Sequence, residues 1–258
     1  MTGVVVYVME RKSEEEIRRI AKAGRIVAEC HRAIATRIAP GVTTLEIDRF
    51  VERFMRERGA VPAQKGYLGY PFATCASVND VVCHGFPDME PLEDGDIVTI
   101  DMVADVDGWK ADSAWTYAIG RTTPRVKKLL RATRSALERA IKQAVPGKRL
   151  GDIGHAVKST AEEAGFSVVT SFVGHGIGRS IHESPQVENQ GKAGKGLLLK
   201  RGMVITIEPI LTTGSPDVWV GPDGWTARTR DGALSAQFEH TIAITERGPT
   251  VLTEWKEP

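Results

Sequence analysis

The chain has 258 residues, of which 41% are hydrophobic and 26% are charged, a balance that predicts a globular protein with a substantial core. Its formal net charge of +1 argues against a nucleic-acid or membrane surface, and no apolar run approaches the ~18–20 residues that span a bilayer. The three cysteines form no C-x-x-C pair, so neither a structural zinc site nor a disulfide framework is indicated. A reduced, cytoplasmic location is therefore expected.

Helix signals dominate the start of the chain. After a short strand or arm expected over residues 1–12, capping boxes at Ser13 and Thr43 predict helices over about 13–38 and 43–59. A loop rich in glycine, tyrosine and proline and two short strands are predicted next, over 66–71, 73–78 and 81–84.

The stretch 97–117 predicts a β-hairpin, because two β-rich runs flank Asp107-Gly108. Side chains alternate faces along a strand. A two-residue turn at Asp107-Gly108 therefore places Asp101 and Asp112 on one face of neighbouring strands, roughly 7–8 Å apart at the backbone. Two carboxylates at that distance can converge on shared ions, although solvated acids on an exposed hairpin face are the simpler explanation for the hairpin alone.

The second half repeats the pattern of the first. A third helix is predicted from Thr123-Pro124 to Pro146-Gly147, and a fourth over about 152–164. The Pro-Gly pair at position 40 recurs at position 146, an offset of 146 − 40 = 106 residues, and the strand run 95–101 is echoed by 202–208.

This repeat bears on domain organisation, since the length allows one large domain or two small ones. It favours a single catalytic domain over 1–258 built from two pseudo-symmetric α/β halves, approximately 13–120 and 123–248. A two-fold arrangement would bring Asp101 and Glu208, which end the related strand runs, together at the junction.

Further chemistry-bearing residues collect in the second half. His175 lies among glycines in the run G-H-G-I-G, and His182 follows seven residues later. Glu208 ends an apolar strand, and Glu239 lies inside a strongly β-forming run. A turn histidine and a solvated strand end are the ordinary explanations, but burying Glu239 without a partner is costly, and a metal ion removes that cost.

Four carboxylates and one imidazole form a donor set that suits two divalent ions, because carboxylates can bridge the ions. So many oxygen ligands favour Mn, Fe or Co over a thiolate zinc site. The candidate ligands are Asp101, Asp112, His175, Glu208 and Glu239.

Five motifs resemble those of the type I methionine aminopeptidases, and the resemblance covers nearly the whole chain. They are N-D-V-V-C-H-G-F-P from Asn79, I-D with D-S eleven residues on, G-H-G-I-G-R-x-x-H-E from Gly174, T-I-E-P from Thr206 and S-A-Q-F-E-H-T from Ser235. The resemblance implies the pita-bread fold, a two-fold α/β architecture around a dinuclear metal centre, which agrees with the repeat.

The resemblance also implies how the ligands divide. Asp112, His175, Glu208 and Glu239 would bind one ion. Asp101, Asp112 and Glu239 would bind the other, so that Asp112 and Glu239 bridge the two. A water or hydroxide shared by the ions would be the nucleophile.

Catalytic and substrate-binding residues follow from the same resemblance. Glu208 would relay protons, His182 would stabilise the developing oxyanion of the scissile amide, and His84 would contact the amide nitrogen. Positions that line the methionine pocket are matched by Tyr67, Tyr70, Cys75 and Trp225.

The implied activity is metal-dependent removal of the initiator methionine when the second residue is small. The expected partner is the N-terminal Met of peptides and nascent chains, with transient proximity to the ribosome, no nucleic acid or membrane, and a monomeric state. The sequence departs from the family at Gln64, where cysteine is frequent, and at Ile181, where many members have phenylalanine. Both departures leave the pocket mainly apolar and affect its shape.

Other readings stay open. A proline-specific or creatinase-type relative usually has an additional N-terminal domain, whereas the first helix here starts near Ser13. The type II subclass usually has a helical insertion between the motifs of His175 and Glu239, which lie only 239 − 175 = 64 residues apart. A non-catalytic binding module would show lost ligands, and all five positions are filled.

Overall fold

The structure is a computed structural model that describes residues 10–256 and combines four helices with short and long strands. The helices are α1 (Glu14–Ala35), α2 (Thr44–Glu57), α3 (Pro124–Ile141) and α4 (Leu150–Ala164), with a short 3₁₀ turn at Tyr67–Gly69. The strands are β1 (Val61–Pro62), β2 (Cys75–Val78), β3 (Val81–Cys83), β4 (Ile97–Val106), β5 (Trp109–Ala118), β6 (Ser167–Val168), β7 (Gly174–Gly176), β8 (Glu183–Val187), β9 (Val204–Ile207), β10 (Ile210–Thr212), β11 (Val218–Val220), β12 (Ala227–Thr229), β13 (Ser235–Gln237), β14 (His240–Thr245) and β15 (Gly248–Val251). Of the strand or arm expected over residues 1–12, only 10–12 are described, and they form neither helix nor strand.

The helix starts follow the capping signals. At α1, the Ser13 hydroxyl accepts from the Glu16 backbone N–H at 3.3 Å, and the Glu16 carboxylate accepts from the Ser13 N–H at 2.7 Å. Thr43 and Glu46 exchange the same bonds at 3.1 and 2.9 Å. Both predicted capping boxes are confirmed, and each satisfies N–H groups that a first turn leaves unpaired.

Two helices end earlier than the sequence predicts. α1 ends at Ala35 rather than near residue 38, and α3 ends at Ile141 rather than at Pro146. In both places the chain continues as tighter turns, in which an N–H bonds the carbonyl three residues back. Examples are Gln143 N–H to Ala140 O at 2.9 Å and Ala144 N–H to Ile141 O at 2.9 Å.

The hairpin of β4 and β5 has the predicted register. Val106 pairs with Trp109, and Val103 lies opposite Asp112. Asp107 and Gly108 both have positive φ, 53° and 79°, as a type I′ turn requires. Asp101 and Asp112 therefore share one face of the hairpin.

Two antiparallel sheets place this hairpin beside the second half of the chain. β4 pairs with β1 and β2 as well as with β5, and a second sheet has the order β15-β14-β9-β7-β8. The two sheets meet where Trp115 of β5 bridges to Phe238 and the Glu239 N–H donates to Ala114 O at 2.8 Å. Acids carried by different halves of the chain are thereby joined through backbone bonds.

The helices cover the sheets and close the core. Buried apolar side chains of α1 and α2 pack against the strands in one large cluster, which includes Val27, Val51, Ile100, Trp115 and Ile242. All three cysteines are buried and free. No helix within residues 10–256 is long and apolar enough to cross a membrane.

Candidate active site

The five predicted metal ligands reach one cavity from four separate parts of the chain. Asp101 and Asp112 come from the hairpin, His175 from β7, Glu208 from the residue after β9, and Glu239 from the link between β13 and β14. The His175 Nε2 atom lies 3.6 Å from Glu208 Oε1 and 3.9 Å from Asp112 Oδ2. Donor atoms of Asp112, His175 and Glu239 all lie within 4.8 Å of one another.

The surrounding polar groups orient two of these side chains. The Nδ1 atom of His175 lies 3.0 Å from Gly176 O, so Nδ1 carries the proton and Nε2 presents its lone pair to the carboxylates. The Thr206 hydroxyl donates to Glu208 Oε1 at 2.8 Å and accepts from the His175 N–H at 2.9 Å. Thr206 thus links the backbone of His175 to the carboxylate of Glu208.

The bridging candidates are fixed through their backbones. The Thr241 hydroxyl accepts from the Asp112 N–H at 2.9 Å and donates to Asp112 O at 2.8 Å. The Ser113 hydroxyl donates to Glu239 O at 2.7 Å. These bonds satisfy the main chain at both acids and leave their carboxylates turned to the cavity.

Burial dominates the electrostatics of the cluster. It raises the pKa of Asp101 to about 6 and the pKa of Glu208 to about 8. Burial, followed by the neighbouring acids, raises the pKa of Asp112 and of Glu239 well above the ordinary values. His175 is held neutral, because burial lowers its pKa to about 3. Ionised carboxylates crowded in this way require a cation.

Two buried oxygens show that a cation fits. Within residues 10–256, Asp112 Oδ1 and Glu239 Oε1 are buried and have no hydrogen-bond partner. Buried polar atoms in folded proteins normally have a hydrogen-bond partner, so the lack of one at both oxygens indicates a site for a bound cation. The donor set of carboxylate oxygens and one imidazole nitrogen suits a divalent ion such as Mn, Fe or Co.

The cavity has a volume of about 330 Å³, and the predicted pocket residues all line it. Tyr70 packs edge-on against Trp225 with ring centroids 5.0 Å apart, and Trp225 lies 6.0 Å from the ring of His84. His84 itself has φ 56°, an uncommon conformation for a residue other than glycine. Cys75 of β2 is buried and pairs with Asp101 of the neighbouring strand β4. The aromatic rings and the thiol together form an apolar wall beside the acids.

Three more residues contact the site; the sequence predicted that Gln64 affects the shape of the pocket, and it gave no role to Phe172 or Gln237. The Gln64 amide donates to Asp101 Oδ1 at 3.2 Å and lies 3.6 Å from Cys75 Sγ, so it adds a polar group to the wall. Phe172 lies edge-on to His84 with centroids 5.4 Å apart. Gln237 Nε2 approaches the Glu208 carboxylate at 3.4 Å. Gln237 lies inside the S-A-Q-F-E-H-T motif, whereas nothing in the sequence around Phe172 indicates its place.

A model of metallopeptidase family M24 matches residues 18–246. The chain belongs to this family. Methionine aminopeptidase 1 of Bacillus subtilis (strain 168) is 45% identical over 242 residues, which cover 94% of this M24 chain and 98% of that protein. The methionine aminopeptidase of Aquifex aeolicus (strain VF5) is 44% identical over 255 residues, which cover 95% and 99%.

Solved structures agree with the sequence comparison. The methionine aminopeptidase from Rickettsia prowazekii superposes with a TM-score of 0.94 at 40% identity, covering 96% of this M24 chain and 100% of that one. A prolidase from Pyrococcus horikoshii OT3 superposes with a TM-score of 0.76 at 26% identity and is covered over 64% of its length. The predicted resemblance to the methionine aminopeptidases and the pita-bread fold are confirmed.

Proposed function

We propose that this M24 metallopeptidase is a methionine aminopeptidase that hydrolyses the bond after an N-terminal methionine when the second residue is small. The observation that carries the proposal is the buried set of four carboxylates and one histidine, with two unsatisfied carboxylate oxygens, at the end of an aromatic-walled cavity. The likeness to named methionine aminopeptidases over almost the whole chain supports it.

The metal ligands are proposed as a pair of overlapping sets for cobalt, manganese or iron. Asp112, His175, Glu208 and Glu239 would hold one ion. Asp101, Asp112 and Glu239 would hold the other. Bound there, two ions supply an acidified water as nucleophile and polarise the scissile carbonyl.

The chain's own catalytic groups lie around that set. Glu208, whose carboxylate accepts from the Thr206 hydroxyl, would take and pass on a proton. His182 is exposed and lines the cavity, and an N–H of its ring would stabilise the oxyanion that develops on the scissile carbonyl. The ring of His84 packs edge-on against the rings of Phe172 and Trp225, and His84 would contact the amide nitrogen.

The pocket explains the choice of methionine. An unbranched thioether packs well against aromatic faces and a thiol, and the wall offers both. These groups are Tyr67, Tyr70, Cys75 and Trp225. The second residue of the substrate must lie close to the histidines, where a long side chain would displace the amide from the nucleophile, and a misplacement of about 1 Å can cost ~10²-fold in rate.

Peptide hydrolysis after chelation and metal titration tests the proposal. We expect Met-Ala-Ser to be cut far faster than Met-Lys-Ser and Leu-Ala-Ser, and only when Mn, Fe or Co is restored. Equal rates for Met-Ala-Ser and Met-Lys-Ser would refute the specificity. Faster cleavage of Ala-Pro peptides would favour the proline-specific alternative, and full activity in verified metal-free protein would refute the metal requirement.

The proposed partner is the N-terminal methionine of peptides and nascent chains. We also propose that the protein acts as a monomer in the cytoplasm, transiently close to the ribosome, without a nucleic-acid or membrane partner. The near-neutral charge of +1 supports the last point. Light scattering and co-sedimentation with ribosomes test the oligomeric state and the ribosome contact.

A further inference from the structure

The hydroxyl of Tyr67 makes a hydrogen bond that a pocket wall does not require. Its oxygen lies 2.8 Å from Nδ1 of His182, and the two ring centroids are 5.4 Å apart. His182 is the residue proposed to stabilise the oxyanion. The contact therefore connects the methionine pocket to the reacting end of the cavity.

The turn that carries Tyr67 holds this hydroxyl in place. The Tyr67 N–H donates to Gln64 O at 2.9 Å, and the Tyr70 N–H donates to Tyr67 O at 2.9 Å. Gly66 has φ 91° and closes the loop by donating to Tyr70 O at 2.7 Å. Gln64 and Tyr70 are both buried, so the turn is anchored on each side.

The chemistry of the two groups fixes the direction of the bond. A neutral imidazole has one N–H, on either Nδ1 or Nε2, and the partner at one nitrogen decides which. A phenol O–H is a better donor than acceptor, whereas an unprotonated imidazole nitrogen is a good acceptor. With the Tyr67 O–H donating to Nδ1, the proton of His182 is on Nε2.

The other contacts of His182 determine where the ring lies, not where its proton lies. The ring packs edge-on against His175, with centroids 4.3 Å apart. The next residue, Glu183, forms an ion pair with Lys12 at 2.8 Å. Replacing Tyr67 by phenylalanine keeps the aromatic ring and all of these contacts and removes only the bond at Nδ1.

We propose that Tyr67 is a positioning residue for His182, whose O–H holds the imidazole in the Nε2–H tautomer that can donate to the oxyanion. The inference rests on the proposed function for its catalytic consequence. The tautomer of His182 does not depend on the proposed function, because it is a property of the protein without substrate.

Nitrogen-15 NMR of the histidine rings in zinc-loaded protein measures the tautomer directly, with the His182 signals assigned from a His182→Asn sample. We expect the wild type to show a protonated Nε2 and an accepting Nδ1. In Tyr67→Phe the pattern should shift toward a mixture of the two tautomers. Tyr70→Phe controls for the nitrogen signals, because that hydroxyl donates to Thr74 O or Gly85 O, both at 3.0 Å, and its loss should leave His182 unchanged.

Steady-state kinetics on Met-Ala-Ser give the second measurement. We expect Tyr67→Phe to lower kcat about tenfold, the scale of one hydrogen bond, with KM and metal content within a factor of two of wild type. A pocket wall alone would instead change KM.

Three results would overturn the inference. The first is a wild-type His182 that carries its proton on Nδ1. The second is a Tyr67→Phe protein that keeps both the wild-type nitrogen pattern and the wild-type kcat. The third is a rise in KM with kcat unchanged, which would return Tyr67 to the pocket wall. A different outcome separates the two proposals. If Tyr67→Phe loses the Nε2–H tautomer but the wild-type protein does not cleave Met-Ala-Ser, the proposed function and the catalytic role of the hydrogen bond are contradicted. The hydrogen bond itself and its effect on the tautomer would still be supported.

Discussion

Replacing Glu239 by glutamine is expected to move stability and metal binding in opposite directions. Glu239 is only 2% exposed, and its donor atom lies within 4.8 Å of those of Asp112 and His175. Glutamine keeps the shape of the side chain, removes its charge, and is a poorer metal ligand than a carboxylate. We expect Glu239→Gln to be more stable than wild type without metal and to gain little when metal is added.

The geometry sets the size of the first effect. Two unit charges 4.8 Å apart, the limit for Asp112 and Glu239, repel by roughly 3 kcal/mol at an effective dielectric of about 20. Burial and the neighbouring acids raise the pKa of both groups above their unfolded values. The contribution of such a group to the free energy of unfolding is complete below its pKa in the unfolded chain and is lost as pH rises through its pKa in the folded protein. Without metal, the free energy of unfolding of Glu239→Gln should therefore exceed that of wild type by an amount that grows from pH 5 to pH 8, up to ~3 kcal/mol.

Metal addition gives the second effect. An ion at about 100 times its Kd stabilises the folded protein by ~2.7 kcal/mol, which corresponds to about 5–10 °C in Tm for a chain of this size. We expect that gain in wild type and less than half of it in the variant. Urea unfolding followed by circular dichroism, with chelator or with Mn at both pH values, measures both effects.

The exposed Glu188 supplies a matched control, since Glu188→Gln makes the same chemical change away from the cavity. It should behave as wild type with and without metal. The reasoning fails if Glu239→Gln is stabilised by metal as strongly as wild type, or if it is less stable than wild type in chelator at pH 8.

Three further predictions concern residues around the site. His182→Ala should keep its metal by elemental analysis while kcat falls about 10²–10³-fold, and a variant purified without metal would show that His182 is a ligand. Lys12→Met should lower the free energy of unfolding in urea by about 2–4 kcal/mol, because Lys12 and Glu183 have side chains only 2% and 18% exposed and the acid would lose its cation; unchanged stability would contradict this. Burial lowers the pKa of His31 to about 4, so the unfolded chain takes up the proton first as pH drops, and the free energy of unfolding of wild type falls by up to ~3 kcal/mol between about pH 6.5 and pH 4. His31→Gln should reduce this dependence on pH. Equal pH dependence in both proteins would refute His31 as its source.

The sequence predicted the elements whose causes are local. The capping boxes at Ser13 and Thr43 need only residues three apart, and the Asp107-Gly108 turn sets the register of a whole hairpin. From that register the shared face of Asp101 and Asp112 follows by alternation alone. The predicted ends of the helices were less accurate, because the residues after Ile141 can adopt either a helix or tighter turns, and packing decides between them.

The sequence could not predict contacts that depend on distant packing. Tyr67 and His182 are 115 residues apart, and nothing in the sequence around either residue indicates that the tyrosine hydroxyl contacts Nδ1 of the histidine. The amide of Gln64 reaches Asp101 only because β2 and the loop before it lie across the same strand. Such links require the tertiary arrangement, which local propensity and periodicity do not contain.

The backbone bonds between the two halves also determine when the site can exist during synthesis. Asp112 and Thr241, which bond each other through hydroxyl and main chain, are 129 residues apart. Contacts of that separation form late, after the entropy of closing a long loop has been overcome. A chain that stops short of Glu239 would carry the other four proposed ligands without the carboxylate proposed to bridge both ions, and without the Thr241 hydroxyl that bonds the main chain of Asp112. A truncated product should therefore bind metal more weakly than the complete chain, and tight metal uptake would report that the chain has been completed.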